Sequence, residues 1–328
     1  MKRKMGHSKL EVSSVGLGCY AIGGKFRVEN GKQWGWTGVN DNESIRAIHT
    51  GLDMGINFLD TAQAYGCGHS ESVIGKAIKG RRDKVVLATK FGKVIDEKAR
   101  RVLGSSIAPD DIRSSCEDSL RRFGTDYIDL FQWHESSGKV EALPALLQTL
   151  DELVAAGKIR YYGWSTDDPD RVEEMARNPN CLAVQHQLHV FVSSDQWKRM
   201  LAVCDAFDLA SINRSPLMMG ILTGKFNADT TFSEGDVRHS IGLSFKKGRL
   251  VERLKQVDAI RDIFTSNGRT MAQGSLAWIW ACSPRTIPIP GFKNEKQVTE
   301  NAQAMEFGPL TEAQMADIDE LMSSGVSS

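Results

Sequence analysis

The sequence predicts an α/β fold, a single (β/α)8 TIM barrel over 1–328 with extra C-terminal helices and long rim loops. Three observations lead there. Apolar strand-like runs alternate with amphipathic helical segments, the alternation recurs eight times within 328 residues, and no Pro-, Ser- or Gly-rich linker interrupts it. Val-Gly-Leu-Gly18 at 15–18 is the first strand. A helix over 41–55 follows, with Asp41, Asn42 and Glu43 at its front and Gly55 at its stop. Strand 57–60 leads to helix 70–78, strand 84–90 to helix 109–123, and strand 127–134 to helix 140–156, closed by Gly157. Strand 159–165 precedes helix 169–177, and strand 182–188 precedes helix 196–207. Strand 209–215 is followed by helices 249–265 and 271–281, strand 286–290 by helix 295–305, and 311–322 adds a capped terminal helix.

Composition narrows the function classes. The 41 basic and 41 acidic side chains cancel, so no electrostatic drive toward nucleic acid or an anionic membrane is expected. No apolar stretch reaches the roughly 20 residues of a membrane helix, and no signal-peptide core follows Met1. Cys19, Cys67, Cys116, Cys181, Cys204 and Cys282 lack metal-ligand or C-x-x-C spacing. Reduced thiols and a cytoplasmic location are the expectation.

Chemistry concentrates at strand ends. Asn-Phe-Leu-Asp60-Thr-Ala-Gln-Ala-Tyr65 leaves a carboxylate at the end of the second strand and a phenol just beyond it. The third strand ends in Lys90 and the fourth in His134. A phenol with an ordinary pKa of about 10 needs a cation to stabilise its phenolate. A single such group at a strand end is an ordinary cap or solvated charge. Four ionisable types at one end of three adjacent strands suit proton donation to a carbonyl: Lys90 would pair with Asp60 and lower the pKa of Tyr65, beside His134.

A dinucleotide fingerprint must be tested, because Gly16-Leu-Gly-Cys-Tyr-Ala21 fits G-x-G-x-x-A. The helix it requires is absent from the pattern: 22–36 is glycine-rich and aperiodic, so a Rossmann site is rejected. These glycines are expected to let the backbone approach a ligand at the barrel mouth.

With these residues in view, the whole chain resembles the aldo-keto reductases, in the branch of the potassium-channel β-subunits and bacterial general-stress members. Leu17-Gly18-Cys19, Gly55-Ile-Asn-Phe-Leu-Asp60-Thr-Ala-Gln-Ala-Tyr65-Gly, Ala88-Thr-Lys90, Asp129-Leu-Phe-Gln-Trp-His134, Gly157-Lys-Ile-Arg160 and Gly163-Trp-Ser165 resemble successive signatures in order. The resemblance implies a catalytic tetrad of Asp60, Tyr65, Lys90 and His134. Tyr65 would protonate a carbonyl oxygen as hydride arrives at carbon, with no metal and no covalent intermediate.

It also implies a nicotinamide cofactor held by Gly18, Cys19, Tyr20 and Asp60, and by Ser165 and Gln185 at the carboxamide. Asn213-Arg214-Ser215-Pro-Leu217-Met-Met-Gly220 and Thr-Gly-Lys225 resemble the loop covering the dinucleotide, with Arg214 in place of the tyrosine that stacks in many members. Gly291, Lys293, Gln297, Glu300 and Asn301 resemble the adenosine segment. Lys293, at a helix start, would take the 2′-phosphate, which favours NADPH over NADH. His186 departs from the asparagine common in the family.

The substrate is expected to be a small carbonyl, such as a sugar or an aryl aldehyde. Trp34, Trp36, Trp133, Glu135 and the 227–247 insertion with Phe232, Arg238, His239 and Phe245 could wall its pocket or simply cover the rim. Cys67 reads as a small loop filler. Two other readings stay open: a cofactor-binding regulatory subunit or redox sensor with slow turnover, and an isomerase or aldolase using Lys90 as a Schiff-base nucleophile. Oligomeric state is not legible.

Overall fold

A computed structural model describes residues 1–234, 236–246 and 248–324. Gly235 and Lys247 of the predicted insertion, and 325–328 of the predicted domain, lie outside the described residues.

Eight parallel strands stand side by side in chain order: β1 (Leu17–Gly18), β2 (Phe58–Asp60), β3 (Val86–Phe91), β4 (Ile128–Trp133), β5 (Ile159–Ser165), β6 (Cys181–Gln187), β7 (Ala210–Arg214) and β8 (Thr286–Pro288). The chain just beyond β8 returns to β1. Gly16 N donates to Pro288 O at 2.9 Å, Gly18 N to Pro290 O at 3.0 Å, and Gly18 pairs in parallel with Gly291, which closes the barrel. A Cβ on Gly18 would lie 2.4 Å from the Ile289 carbonyl oxygen. At Gly18 the close approach is made by the last barrel segment, and at Gly16 by the Phe58 ring together with the Ile289 side chain, because only a bare Cα leaves room for them.

Around the strands run α1 (Asp41–Asp53), α2 (His69–Ala77), α3 (Pro109–Phe123), α4 (Leu143–Ala155), α5 (Pro169–Ala176), α6 (Ser194–Ala206), α7 (Arg249–Ala259), α8 (Met271–Cys282), α9 (Glu295–Phe307) and α10 (Glu312–Ser324). Asn40 caps α1 by accepting from Glu43 N at 3.0 Å, and Thr270 with Gln273 forms a capping box on α8. The predicted helix over 249–265 breaks at Ile260, and a separate turn covers Arg261–Phe264. The strand predicted from Lys84 starts at Val86, after a 3-10 turn over Arg82–Lys84.

Alternation along the strands separates two apolar layers. Phe58, Val86, Ala88, Leu130, Ala183, Ala210, Ile212 and Ile287 fill the barrel interior. Leu59, Leu87, Phe131 and Val184 face outward into the helix layer. A hairpin of Lys2–Lys4 and Glu11–Ser13, unforeseen in the sequence, plugs the N-terminal end with Met5 and Val12, both fully buried. Each such side chain contributes about 1.5–3 kcal/mol of burial. A second unforeseen element is a rim sheet of Gln33–Trp34, Phe26–Arg27, Arg101–Ser105 and Lys93–Asp96 over the opposite mouth. No helix among the described residues is long and apolar enough to cross a membrane.

Candidate active site

The alternation that packs the interior also delivers its chemistry. In β2, Phe58 and Asp60 share the inner face; β3 sends in Val86, Ala88 and then Lys90; β4 sends in Leu130 and then Gln132. The apolar layers thus end in a polar one at the C-terminal rim. Lys90 is fully buried, and its Nζ donates to Asp60 Oδ2 at 2.7 Å, to the Thr61 carbonyl at 2.7 Å and to the Tyr65 hydroxyl at 3.4 Å. Asp60 Oδ1 accepts from Gln185 Nε2 at 2.7 Å and from Gln132 Nε2 at 3.1 Å. Every ammonium hydrogen has a partner, which offsets the cost of burying the pair.

Three of the predicted tetrad, Asp60, Tyr65 and Lys90, are linked by hydrogen bonds, and His134 joins through ring packing. Its imidazole meets the Tyr65 ring edge-on at a centroid distance of 5.8 Å, and its buried Nδ1 has no hydrogen-bond partner among the described residues. Burial, then the Lys90 charge, lowers the His134 pKa to about 3, so the ring is neutral at physiological pH. Tyr65 departs from expectation. Burial raises its pKa above the ordinary phenol value, and the Lys90 charge pulls it down only in part. Burial pulls Lys90 down, but Asp60 and the Tyr65 phenol raise it to a net increase. At neutral pH the site therefore holds a phenol beside an ammonium. Tyr20 packs edge-on against Tyr65 at 4.9 Å, and burial is the largest cause of the rise in its pKa.

The other predicted residues fall into groups. Cys19 is buried below the mouth, its N–H donating to the Asp60 carbonyl at 2.8 Å. Ser165, at the end of β5, pairs in register with Gln185 of β6. Arg214 ends β7 on the inner face, and its Nη2 donates to Asp167 Oδ2. Ser215, Met218 and Met219, which follow, are non-glycine residues at φ of 56°, 45° and 54°, and Gly220 follows at 95°. Such left-handed residues cost about 1–3 kcal/mol each and cluster at functional loops. Leu217 sits within this turn, its carbonyl accepting from Gly220 N at 2.9 Å.

A cationic cluster assembles from three distant segments. Lys293 Nζ lies 4.9 Å and Arg238 Cζ 4.8 Å from the centre of the Trp36 ring, and Arg238 Cζ lies 5.5 Å and Lys225 Nζ 5.3 Å from that of Phe226. Asp236 takes the Nε and Nη2 edge of Arg238 at 2.9 and 2.7 Å. Among the described residues, neither Lys225 nor Lys293 has a carboxylate ion pair. The cluster thus carries net positive charge. Sequence reasoning left Trp36 and Arg238 as either pocket walls or rim cover; the structure gathers them with Lys225 and Lys293. Asn294 caps α9, and Gln297 Oε1 accepts from Lys293 N at 2.8 Å. Glu300 gives its carbonyl to Gln273, and Asn301 is buried.

A family model described as "Aldo/keto reductase family" matches residues 25–323. The chain belongs to the aldo/keto reductase family. Aldo-keto reductase yakc [NADP(+)] of Schizosaccharomyces pombe is 31% identical over 97% of this chain and 90% of its own length. Aldo-keto reductase YhdN of Bacillus subtilis is 30% identical over 97% and 92%. Among solved structures, the glycerol dehydrogenase AKR11B4 of Gluconobacter oxydans superposes with a TM-score of 0.84 at 29% identity, over 100% of this chain and 96% of its own. An aldo-keto reductase of Klebsiella pneumoniae in complex with NADPH gives 0.71 at 25% identity, over 98% and 95%. As an aldo/keto reductase the chain is an oxidoreductase, and the linkage of Asp60, Lys90 and Tyr65 sets a phenolic hydroxyl beside an ammonium. Sequence reasoning missed Gln132, although its place two residues after Leu130 on an inward face was a usable signal. Asp167 left no signal, since its partner Arg214 lies 47 residues away.

Proposed function

We propose that the protein, as one barrel domain over 1–328, reduces a small aldehyde or ketone with NADPH, or runs the reverse oxidation, with Tyr65 as general acid. The observation that carries this reading is Lys90 Nζ, 2.7 Å from Asp60 and 3.4 Å from the Tyr65 hydroxyl. NADPH, when bound, supplies the hydride. Tyr65 gives its proton to the carbonyl oxygen, and the phenolate left behind faces the Lys90 ammonium, which stabilises it. Neutral His134 keeps one N–H, so it can orient the carbonyl by a hydrogen bond without supplying a competing proton.

The donor set fits a dinucleotide phosphate: Lys225, Arg238 and Lys293 form a cationic cluster in which, among the described residues, only Arg238 has a carboxylate partner. These three would hold the 2′-phosphate end, with Gln297, Glu300 and Asn301 at the adenosine. Arg214, Ser215, Leu217 and Gly220 would cover the dinucleotide, Ser165 and Gln185 would take the carboxamide, and Gly18, Cys19, Tyr20 and Gly291 would form the floor. Yakc is named for NADP(+), and the Klebsiella structure for NADPH, which supports the choice over NADH. The substrate class is a small carbonyl such as a sugar or aryl aldehyde, and the glycerol dehydrogenase neighbour supports a small polyol for the reverse direction.

A regulatory role is disfavoured because the relatives compared are named as reductases or dehydrogenases. Schiff-base chemistry is disfavoured because a Lys90 with a raised pKa is protonated and a poor nucleophile. A cytosolic site of action belongs to the same proposal. Fluorescence titration with NADPH and with NADH, followed by a panel of sugars and aryl aldehydes, tests it. Tighter NADPH binding with turnover is expected. Binding without turnover would favour a regulator, and binding of neither cofactor would contradict the reading.

A further inference from the structure

At the barrel mouth three cations are matched by carboxylates. Lys90 pairs with Asp60, Lys93 with Glu135, and Arg214 with Asp167. The third pair has no place in the proton transfer described above. In β7, Ala210 and Ile212 line the interior, so the same alternation aims Arg214 across the mouth, and its charge reaches both Tyr65 and His134. Asp167 lies on the loop after β5. Its Oδ1 accepts from Gln187 N at 2.7 Å, at the end of β6, while its Oδ2 holds Arg214 at the end of β7.

We infer that Asp167 is a positioning residue which fixes and neutralises Arg214, and that the pair sets the preference of the site between NADP+ and NADPH. This rests on the NADPH reading, with the nicotinamide end beside Arg214. The oxidised ring carries a positive charge that the reduced ring lacks. An unmatched guanidinium would repel the oxidised form alone, whereas a guanidinium bound to Asp167 treats the two forms nearly alike. By linkage, a change in the ratio of the two affinities shifts the equilibrium between the bound redox forms.

Calorimetry with NADP+ and fluorescence titration with NADPH read this without turnover. Asp167→Asn removes the negative charge and leaves one oxygen, which can accept from Arg214 if the amide NH2 turns toward Gln187. Its Kd for NADP+ should rise relative to that for NADPH by about tenfold, screening allowed for, since the paired side chains are 32% and 31% exposed. Arg214→Gln leaves Asp167 unmatched, so the ratio should move the other way. Thermal unfolding verifies that both variants fold. Equal weakening of both redox forms in Asp167→Asn would mean that Asp167 is only a clip between strand ends, and an unchanged ratio would equally overturn the inference. If the wild-type protein binds neither dinucleotide, the cofactor reading itself fails, an outcome distinct from both.

Discussion

Lys90 Nζ and Asp60 Oδ2 stand 2.7 Å apart at the end of the barrel interior, one side chain fully buried and the other nearly so. A pair so placed is costly to break from one side. Asp60→Ala would leave a buried ammonium without its counter-charge, so the variant should lose about 3–5 kcal/mol of stability. Urea unfolding of the two proteins checks this.

The same pair governs the pH dependence of turnover. Tyr65 titrates above the ordinary phenol value of 10.0, so carbonyl reduction, which needs the phenol, should be flat through neutral pH and fall only in strong alkali. Alcohol oxidation needs the phenolate and should rise with pH over the same range. Replacing Lys90 with Met removes the charge that favours the phenolate, so the alkaline rise should move to higher pH. Single-turnover rates in both directions, taken across pH, read the shift.

Stability should also fall in mild acid. His134 is lowered to about 3 and His186 and His189 to about 4, each first by burial. These rings are neutral in the fold, so below the ordinary value of 6.5 the unfolded chain binds more protons and stability declines as pH drops toward 4. Glu135, lowered to about 2 with Lys93 and Ser137 bonded to it, adds its own loss only below its ordinary 4.5. Between 6.5 and 4.5 the histidines dominate. His186→Asn should flatten the slope of unfolding free energy against pH in that window.

Much of this was legible in the sequence because barrel strands state their ends plainly. The runs ending in Asp60 and Lys90 are largely apolar, and the run ending in His134 is broken only by Asp129 and Gln132, so position at strand ends singled these residues out, while their grouping with Tyr65 as a tetrad came from the family resemblance. The N-terminal hairpin and the rim sheet were not legible. Their strands span two to five residues and are rich in charge, as in Lys-Arg-Lys and Arg-Val-Leu-Gly-Ser, so no period develops. Partnerships across long sequence separations were hidden for a different reason. Nothing near Arg238 announces Trp36 or Lys293, and nothing near Arg214 announces Asp167, because loop closure brings them together. The upward shift of Tyr65 depends on burial, which a motif does not encode.

Arg238 offers a test of the cationic cluster. Arg238→Ala should weaken NADPH binding by about tenfold or more, the worth of a charge-assisted hydrogen bond, and leave NADH binding nearly unchanged. Paired fluorescence titrations report the ratio. An equal loss for both cofactors would place Arg238 away from the 2′-phosphate.

The most direct test of the central claim is NADPH oxidation by Tyr65→Phe with a small aldehyde, alongside a separate NADPH titration. Only the transferable proton is removed, so turnover should fall by about two to four orders of magnitude while cofactor affinity is unchanged. Turnover at the wild-type rate with intact binding would contradict the assignment of Tyr65 as the proton donor.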